Sequence, residues 1–198
     1  MTGVRRFSHA IAEGDGISVV AAVEDADAAL AAEAQRAEAL VVAGDPASVR
    51  QATALPILWR ADVGLQRAAD VADAVTLALG EDAKDEDANA RLQQRHEEAL
   101  ALGLDCAVEV GTEEEVEHAL ELVDPEIFLL APPPGDAEAR LEAVLDMLAA
   151  VPAGKLAVAD LEVTTEDEVH ELERAGVDAV IVHAADVSPL VGDAPPEV

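Results

Sequence analysis

The feature that most constrains the fold is a series of short apolar runs that alternate with longer, amphipathic stretches. Short runs that are nearly continuous in apolar residues are typical of strands buried on both faces of a parallel sheet. The sequence predicts eight such strands: Ile17–Val23, Ala39–Ala43, Pro56–Trp59, Ala74–Leu79, Asp105–Val110, Glu126–Leu130, Leu156–Ala159 and Ala179–Val182.

Helix signals lie between these strands. Asp45-Pro46 is typical of an N-cap followed by the first helical residue. The segments Thr112–Glu115 and Thr165–Glu168 fit the capping box, and Gly103 and Gly176 stand where helices are expected to end. Eight strands, each followed by a helix, favour a closed (βα)8 barrel (a TIM barrel), with an open, doubly wound sheet as the alternative.

The length limits how this barrel can be built. At 198 residues the chain is short for such a fold, so we expect one domain over 1–198 with brief loops and a last helix that is reduced or missing. The barrel is predicted to extend over about 7–186, and the segment 187–198 is predicted to be a frayed tail.

Charge excludes some partners. The chain has 42 acidic and 12 basic residues, a formal net charge of -30. Such a field repels nucleic acid and anionic membranes, so neither is expected as a partner. We prefer a salt-rich cytoplasm over a GC-rich, alanine-rich genome as the source of this acidity.

No apolar stretch could span a bilayer and the N-terminus has no secretion signal, so a soluble, cytoplasmic protein is expected.

General motifs for cofactors and metals do not occur. There is no Gly-x-Gly-x-x-Gly, no phosphate loop and no Cys-His cluster with metal spacing, so neither a cofactor nor a metal is predicted. Cys106 lies in a strand pattern and is predicted to be a buried, inert thiol. His183 differs from the other histidines, because it follows the eighth strand at the end of the barrel where ligands bind.

Four stretches of the chain resemble, in order and spacing, segments of the indole-3-glycerol phosphate synthase family. They are GDGISVVAAV, LPILWRAD, ALGLDCAVEVGTEEEVEHAL and GKLAVADLEVTTEDEVHELERAGVDAVIVHAADV. The resemblance extends from about Phe7 to Asp186, and it implies a (βα)8 barrel. It also implies a family reaction, the decarboxylating ring closure of an anthranilate-linked deoxyribulose phosphate.

Most of the family's functional residues do not carry over. A lysine on the third strand is the family's general acid, and here it is matched by Arg60. The family's first-strand glutamate is matched by Ala22 and the lysine two residues later by Glu24. The fifth-strand glutamate is retained as Glu109.

The family's phosphate-binding region is also altered. The asparagine after the sixth strand is matched by Ala131, and the seventh-strand Glu-Ser-Gly by Asp160-Leu161-Glu162. The phosphate-binding glycine after the eighth strand is matched by His183. The resemblance therefore implies that Glu162 places a carboxylate where the family binds phosphate.

Arg60 has two interpretations. A guanidinium cannot donate a proton near neutral pH. It can pair with Glu24, Glu109 or Asp160, which we favour, or it can bind an anion. The candidate catalytic residues are Glu109, Arg60 and Asp160, and the candidate ligand-binding residues are Arg60, His183 and Glu24.

Three functions remain open. The favoured one is a catalytically degenerate barrel that binds a small anionic metabolite or a protein partner in a regulatory or scaffold role. The second is a carboxy-lyase of the resembled family with a rebuilt active site. The third is an enzyme acting on another small anion, with Arg60 as the clamp and His183 as acid or base.

The net charge leads to a prediction about salt. Self-repulsion destabilises the compact state, and the screening length falls from about 8 Å at physiological ionic strength to about 3 Å at 1 M. The melting temperature measured by calorimetry should therefore rise steadily with KCl. A melting temperature that stays constant from dilute buffer to molar KCl would rule out the halophilic interpretation.

Overall fold

Eight parallel strands form a closed barrel in which each strand pairs with its neighbours in chain order and the last pairs with the first. The computed structural model describes residues 7–12, 16–62, 64–80 and 84–191. The strands are β1 (Ser18–Ala22), β2 (Ala39–Val42), β3 (Ile57–Trp59), β4 (Ala74–Ala78), β5 (Asp105–Val110), β6 (Ile127–Leu130), β7 (Leu156–Asp160) and β8 (Ala179–Val182). The closed barrel is confirmed, and every predicted strand is present with its ends within one residue.

The helices of the described ranges lie between the strands, except the first, which precedes β1. They are α1 (Phe7–Ala12), α2 (Ala26–Ala34), α3 (Ala47–Ala52), α4 (Leu65–Val71), α5 (Glu86–Ala101), α6 (Glu113–Leu122), α7 (Ala137–Ala150) and α8 (Glu166–Ala175). The shortest connecting helices, α3 and α4, have 6 and 7 residues, which is how so short a chain completes a barrel. Within these ranges, no helix has both the length and the apolar character that a bilayer crossing needs.

The segment after β8 differs in part from its prediction. Residues 183–191 form bends and turns rather than a helix, as expected for a reduced last connection. Val187 and Leu190, however, are buried in the core, so this part of the predicted frayed tail packs against the barrel. The predicted tail beyond residue 191 lies outside the described residues.

The capping signals of α8 act as predicted. Thr165 accepts a hydrogen bond from the Glu168 N–H, and the Glu168 carboxylate accepts one from the Thr165 N–H, which completes the capping box. The helix ends at Gly176, whose φ of 101° lies in the left-handed region that favours glycine. Gly103, just after α5, has a φ of 80° for the same reason.

Two helix starts differ slightly from their predictions. Thr112 caps α6 through the Glu115 N–H, but the Glu115 carboxylate accepts from the N–H of Gly111, 2.6 Å away, rather than from that of Thr112. Helix α3 begins at Ala47, one residue later than predicted. The N–H of Ala47 donates to the Asp45 carboxylate. Both differences are within the usual variation of helix ends.

The core has two layers, because successive strand residues point to opposite faces of the sheet. The outer layer packs between the strands and the helices and includes Ile57 and Trp59. The inner layer fills the barrel and includes Leu58. Phe7 and Ile11 of α1 belong to the inner layer, so α1 closes the barrel at the end where the strands begin.

A buried carboxylate holds α1 in this position. Asp105, at the start of β5, is only 4% exposed, and its carboxylate accepts a hydrogen bond from the Ser8 N–H at 2.8 Å. This bond satisfies one of the N–H groups that the first turn of a helix leaves without a partner.

The neighbouring Cys106 is buried on the outer layer, as predicted. Burial, together with the charge of Asp105, raises the pKa of its thiol to about 12. The thiolate is therefore strongly disfavoured near neutral pH, and the prediction of an inert thiol is consistent with this environment.

The Asp105 contact leads to a stability prediction. Asp105→Ala removes the acceptor of a buried N–H, so we expect a loss of about 3 kcal/mol in the free energy of unfolding. The control is Asp25→Ala, which removes an exposed N-cap and should cost only about 1 kcal/mol. Urea denaturation of both variants checks this, and equal losses would show that the Ser8 contact adds nothing beyond an ordinary cap.

Candidate functional site

Arg60 enters the mouth of the barrel because of its position just after β3. Its N–H donates to the Val42 carbonyl at 2.9 Å, so the ladder between β2 and β3 continues through this residue. Leu58 faces the barrel interior and Trp59 faces the helices. Strand alternation therefore directs the Arg60 side chain inward, above the apolar interior layer.

Two carboxylates reach the same point by the same alternation. Glu109 of β5 follows the outward-facing Val108, and Asp160 of β7 follows the outward-facing Ala159. Each stands at or near the end of its strand. The carboxyl ends of parallel strands meet at one end of a barrel, where ligands of this architecture bind.

The guanidinium of Arg60 joins these two carboxylates. Its Nε and Nη2 donate to the two oxygens of Glu109, each at 3.1 Å, in a bidentate contact. Its Nη1 donates to Asp160 Oδ2. The other oxygen of Asp160 lies 2.8 Å from Nε2 of His183. Glu109, Arg60, Asp160 and His183 therefore form a continuous hydrogen-bonded chain across the mouth, which is called the mouth network below.

Burial and pairing keep the centre of this network charged. Burial opposes the charge of Arg60, but the hydrogen bonds and charges of Glu109 and Asp160 outweigh it and raise the pKa of the guanidinium. Burial likewise opposes the charge of Asp160, but the hydrogen bonds from His183 and Arg60 outweigh it and lower the pKa of the carboxyl. Neither group exchanges a proton near neutral pH.

The lowered pKa of Asp160 has a defined effect on stability. A group whose pKa is lower in the folded protein stabilises the fold above its unfolded pKa, about 3.9 for aspartate. This contribution is lost as the pH falls through the lower, folded value. The contribution of the Asp160 carboxylate to stability is therefore complete at neutral pH and is lost only in acid.

The structure brings together four of the five predicted site residues. Arg60, Glu109, Asp160 and His183 are in contact. Glu24 is exposed in the loop after β1, and it is not among the carboxylates that contact Arg60 in the described part of the chain. The expected pairing with Glu24 is therefore not observed.

A cavity of about 560 Å³ opens beside the mouth network, between the ends of β3 and β4 and helix α5. Arg60 and Glu109 line one side, and Arg91 and Arg95 of α5 line another. The sequence prediction missed these two arginines. Their signal was the pattern RLQQR, two arginines one helical turn apart in a chain with few basic residues.

The described ranges contain no group of three or more histidine, cysteine, aspartate or glutamate side chains arranged to hold a metal ion. The polar groups of the mouth are instead arranged around a guanidinium.

The mouth network leads to a prediction about Arg60. Its side chain is 26% exposed and that of Asp160 is 13% exposed, so Arg60→Ala would leave two half-buried carboxylates without their cation. We expect a loss of about 2 to 3 kcal/mol in the free energy of unfolding, between the ranges for exposed and for buried pairs. The matched control is Arg67→Ala, whose pair with Asp45 is exposed and should cost less than about 1 kcal/mol. Urea denaturation at fixed KCl measures both, and similar losses would show that the mouth network is no stronger than a surface pair.

Comparison with known proteins agrees with the barrel and with the family resemblance. The chain is 37% identical over 95 residues to the indole-3-glycerol phosphate synthase of Variovorax paradoxus (strain S110), covering 47% of this chain and 36% of that enzyme. The same identity and coverage apply to the indole-3-glycerol phosphate synthase of Polaromonas naphthalenivorans (strain CJ2). The chain thus matches about a third of the length of these curated relatives. No protein-family model matches it.

Among solved structures, the fold is similar to that of QR15, an aldolase, with a TM-score of 0.65 over 93% of both chains. At 16% identity this likeness concerns the fold alone. The protein is a single-chain (βα)8 barrel whose sequence resembles indole-3-glycerol phosphate synthases over about half its length.

Proposed function

We propose that this barrel binds a small organic anion at its mouth, as a carrier or regulatory protein, and does not catalyse the carboxy-lyase reaction of the enzymes it resembles. The observation that carries this proposal is the state of Arg60. It stands where the resemblance implies a general acid, and it is fixed between Glu109 and Asp160.

The missing proton donor is the first support. General acid catalysis needs a group whose pKa lies near the working pH. Pairing raises the pKa of Arg60 and lowers that of Asp160, so both move away from that range. Glu109, the one family residue retained, is engaged by both of its oxygens with Arg60.

The segment from β7 to the start of α8, which includes the Glu162 that the resemblance places at the phosphate position, is the second support. Backbone N–H groups at a helix start can hold a phosphate. At the start of α8, however, the Glu168 carboxylate already accepts from the N–H groups of Thr164 and Thr165, at 2.7 and 3.0 Å. These hydrogen bonds lower the pKa of the Glu168 carboxyl and keep it ionised, and the bond from the Thr164 N–H has the largest effect. A phosphate there would have to displace a carboxylate.

The cations around the adjacent cavity support binding of an anion. Arg60, Arg91 and Arg95 all line it, although the chain as a whole has only 12 basic residues against 42 acidic ones. Its volume of about 560 Å³ is in the ordinary range for a small-molecule site.

A second candidate function is catalysis on another small anionic substrate. The observation that favours it is the 2.8 Å contact between His183 Nε2 and Asp160 Oδ1, with the His183 side chain 52% exposed. A carboxylate that orients an exposed imidazole is a common arrangement for general acid or base catalysis. A bound anion that is converted by the wild type and not by His183→Gln would favour this function over a carrier.

The proposal predicts the outcome of an assay for indole-3-glycerol phosphate formation. The protein is assayed in high KCl with the anthranilate-linked deoxyribulose phosphate, and indole fluorescence is compared with that of the Variovorax paradoxus enzyme. Loss of a general acid alone costs about 10² to 10⁴ in rate, so we expect at least a hundredfold lower turnover.

Arg60→Lys is the matched variant of this assay. It restores a cation that can lose its proton but leaves Ala22 and Glu162 in place, so we expect no recovery of activity. Turnover by the wild type within about tenfold of the reference enzyme would contradict the proposal and support a lyase with a rebuilt active site.

A further inference from the structure

The cations around the cavity are unequally compensated. Arg60 has two carboxylate partners, Glu109 and Asp160, so its charge is already neutralised. Arg95 is also paired: its Nη2 lies 3.3 Å from a carboxylate oxygen of Asp62, whose side chain is 95% exposed. Arg91 forms no ion pair or hydrogen bond within the described residues, and it lines the cavity. Among the described residues that line the cavity, the positive charge without an ion-pair partner therefore lies on Arg91 of α5.

Helix geometry places this charge on one face. Arg91 and Arg95 are separated by four residues on α5, and side chains at this separation are neighbours on a helix surface. Ala88 and Leu92 also line the cavity, so this face of α5 forms its wall. Two like charges at this spacing disfavour the helix unless an anion lies between them or nearby.

The remaining walls indicate the other part of the ligand. Leu77, Leu79 and Leu92 line the cavity together with several alanines. The Thr76 hydroxyl is the one neutral side-chain polar group among the described lining residues. A polyhydroxylated ligand would leave its hydroxyl groups against leucine, at a cost in desolvation. An aliphatic group against these walls would be stabilised by burial.

We propose that Arg91 and Arg95 bind the carboxylate of a small aliphatic carboxylic acid whose hydrocarbon part lies against Leu77, Leu79 and Leu92. A guanidinium presents two parallel N–H groups that match the two oxygens of a carboxylate. This inference rests on the proposed anion-binding function and assigns the anion to α5 rather than to the mouth network.

Binding of hexanoate, measured by NMR titration of the full chain at a fixed KCl concentration, tests the inference. The probes are hexanoate, 1-hexanol as its neutral counterpart and inorganic phosphate. The variants are Arg91→Gln, Arg95→Gln and Arg60→Gln. The matched control is Arg174→Gln, because Arg174 lies on α8 and donates to the His170 carbonyl of its own helix.

We expect hexanoate to bind the wild type, and Arg91→Gln or Arg95→Gln to raise its Kd about tenfold or more. Arg174→Gln should leave the Kd unchanged, and 1-hexanol and phosphate should each bind more weakly than hexanoate. A circular dichroism spectrum of each variant establishes that the barrel is folded.

Two other outcomes overturn the inference in distinguishable ways. If hexanoate or phosphate binds and only Arg60→Gln weakens it, the mouth network is the anion site, so the inference fails and the proposed function stands. If neither anion binds the wild type, both the inference and the proposed function fail for these two classes of anion.

Discussion

Closure of the barrel is the constraint on which the rest of the structure depends. The parallel pairing of β8 with β1 completes the ring and fixes the direction in which every strand residue points. Residues that are 49 and 100 positions apart in the chain then meet around the Arg60 guanidinium. The inner layer of the barrel is apolar, so these charged groups can gather only where the strands end and water is near.

The strands were predictable because each is a short, nearly continuous apolar run bounded by helix or turn signals, which is typical of a strand buried on both faces. The partners of Arg60 were less predictable. Sequence reasoning offered three carboxylates at strand ends, and only the closed geometry distinguishes Glu109 and Asp160, which point inward, from Glu24, which lies in the following loop.

The arginines of α5 were not predictable as site residues for a different reason. A charged residue on an amphipathic helix faces solvent in most proteins, and the RLQQR spacing alone does not distinguish Arg91 from such a residue. Its position becomes informative only when α5 is placed beside the ends of β3 and β4. Arg140, on α7, also donates to the main chain of the mouth, at the Asp160 carbonyl. In this very acidic chain, Arg60, Arg91, Arg95 and Arg140 all lie at the same end of the barrel.

The buried thiol of Cys106 makes it possible to measure how often the helical layer separates from the sheet. Cys106 is the only cysteine of the chain, and it is buried on β5 between Asp105, which holds α1, and Glu109, which holds Arg60. A thiol reagent can reach it only when the helical layer separates from the sheet, so the rate of modification measures how often that separation occurs. The same thiol is protected from oxidation as long as the barrel stays closed, since oxidation follows exposure and thiolate character. The lifetime of this cysteine in an oxidising solution therefore depends on how often the fold opens as well as on the reactivity of the exposed thiol.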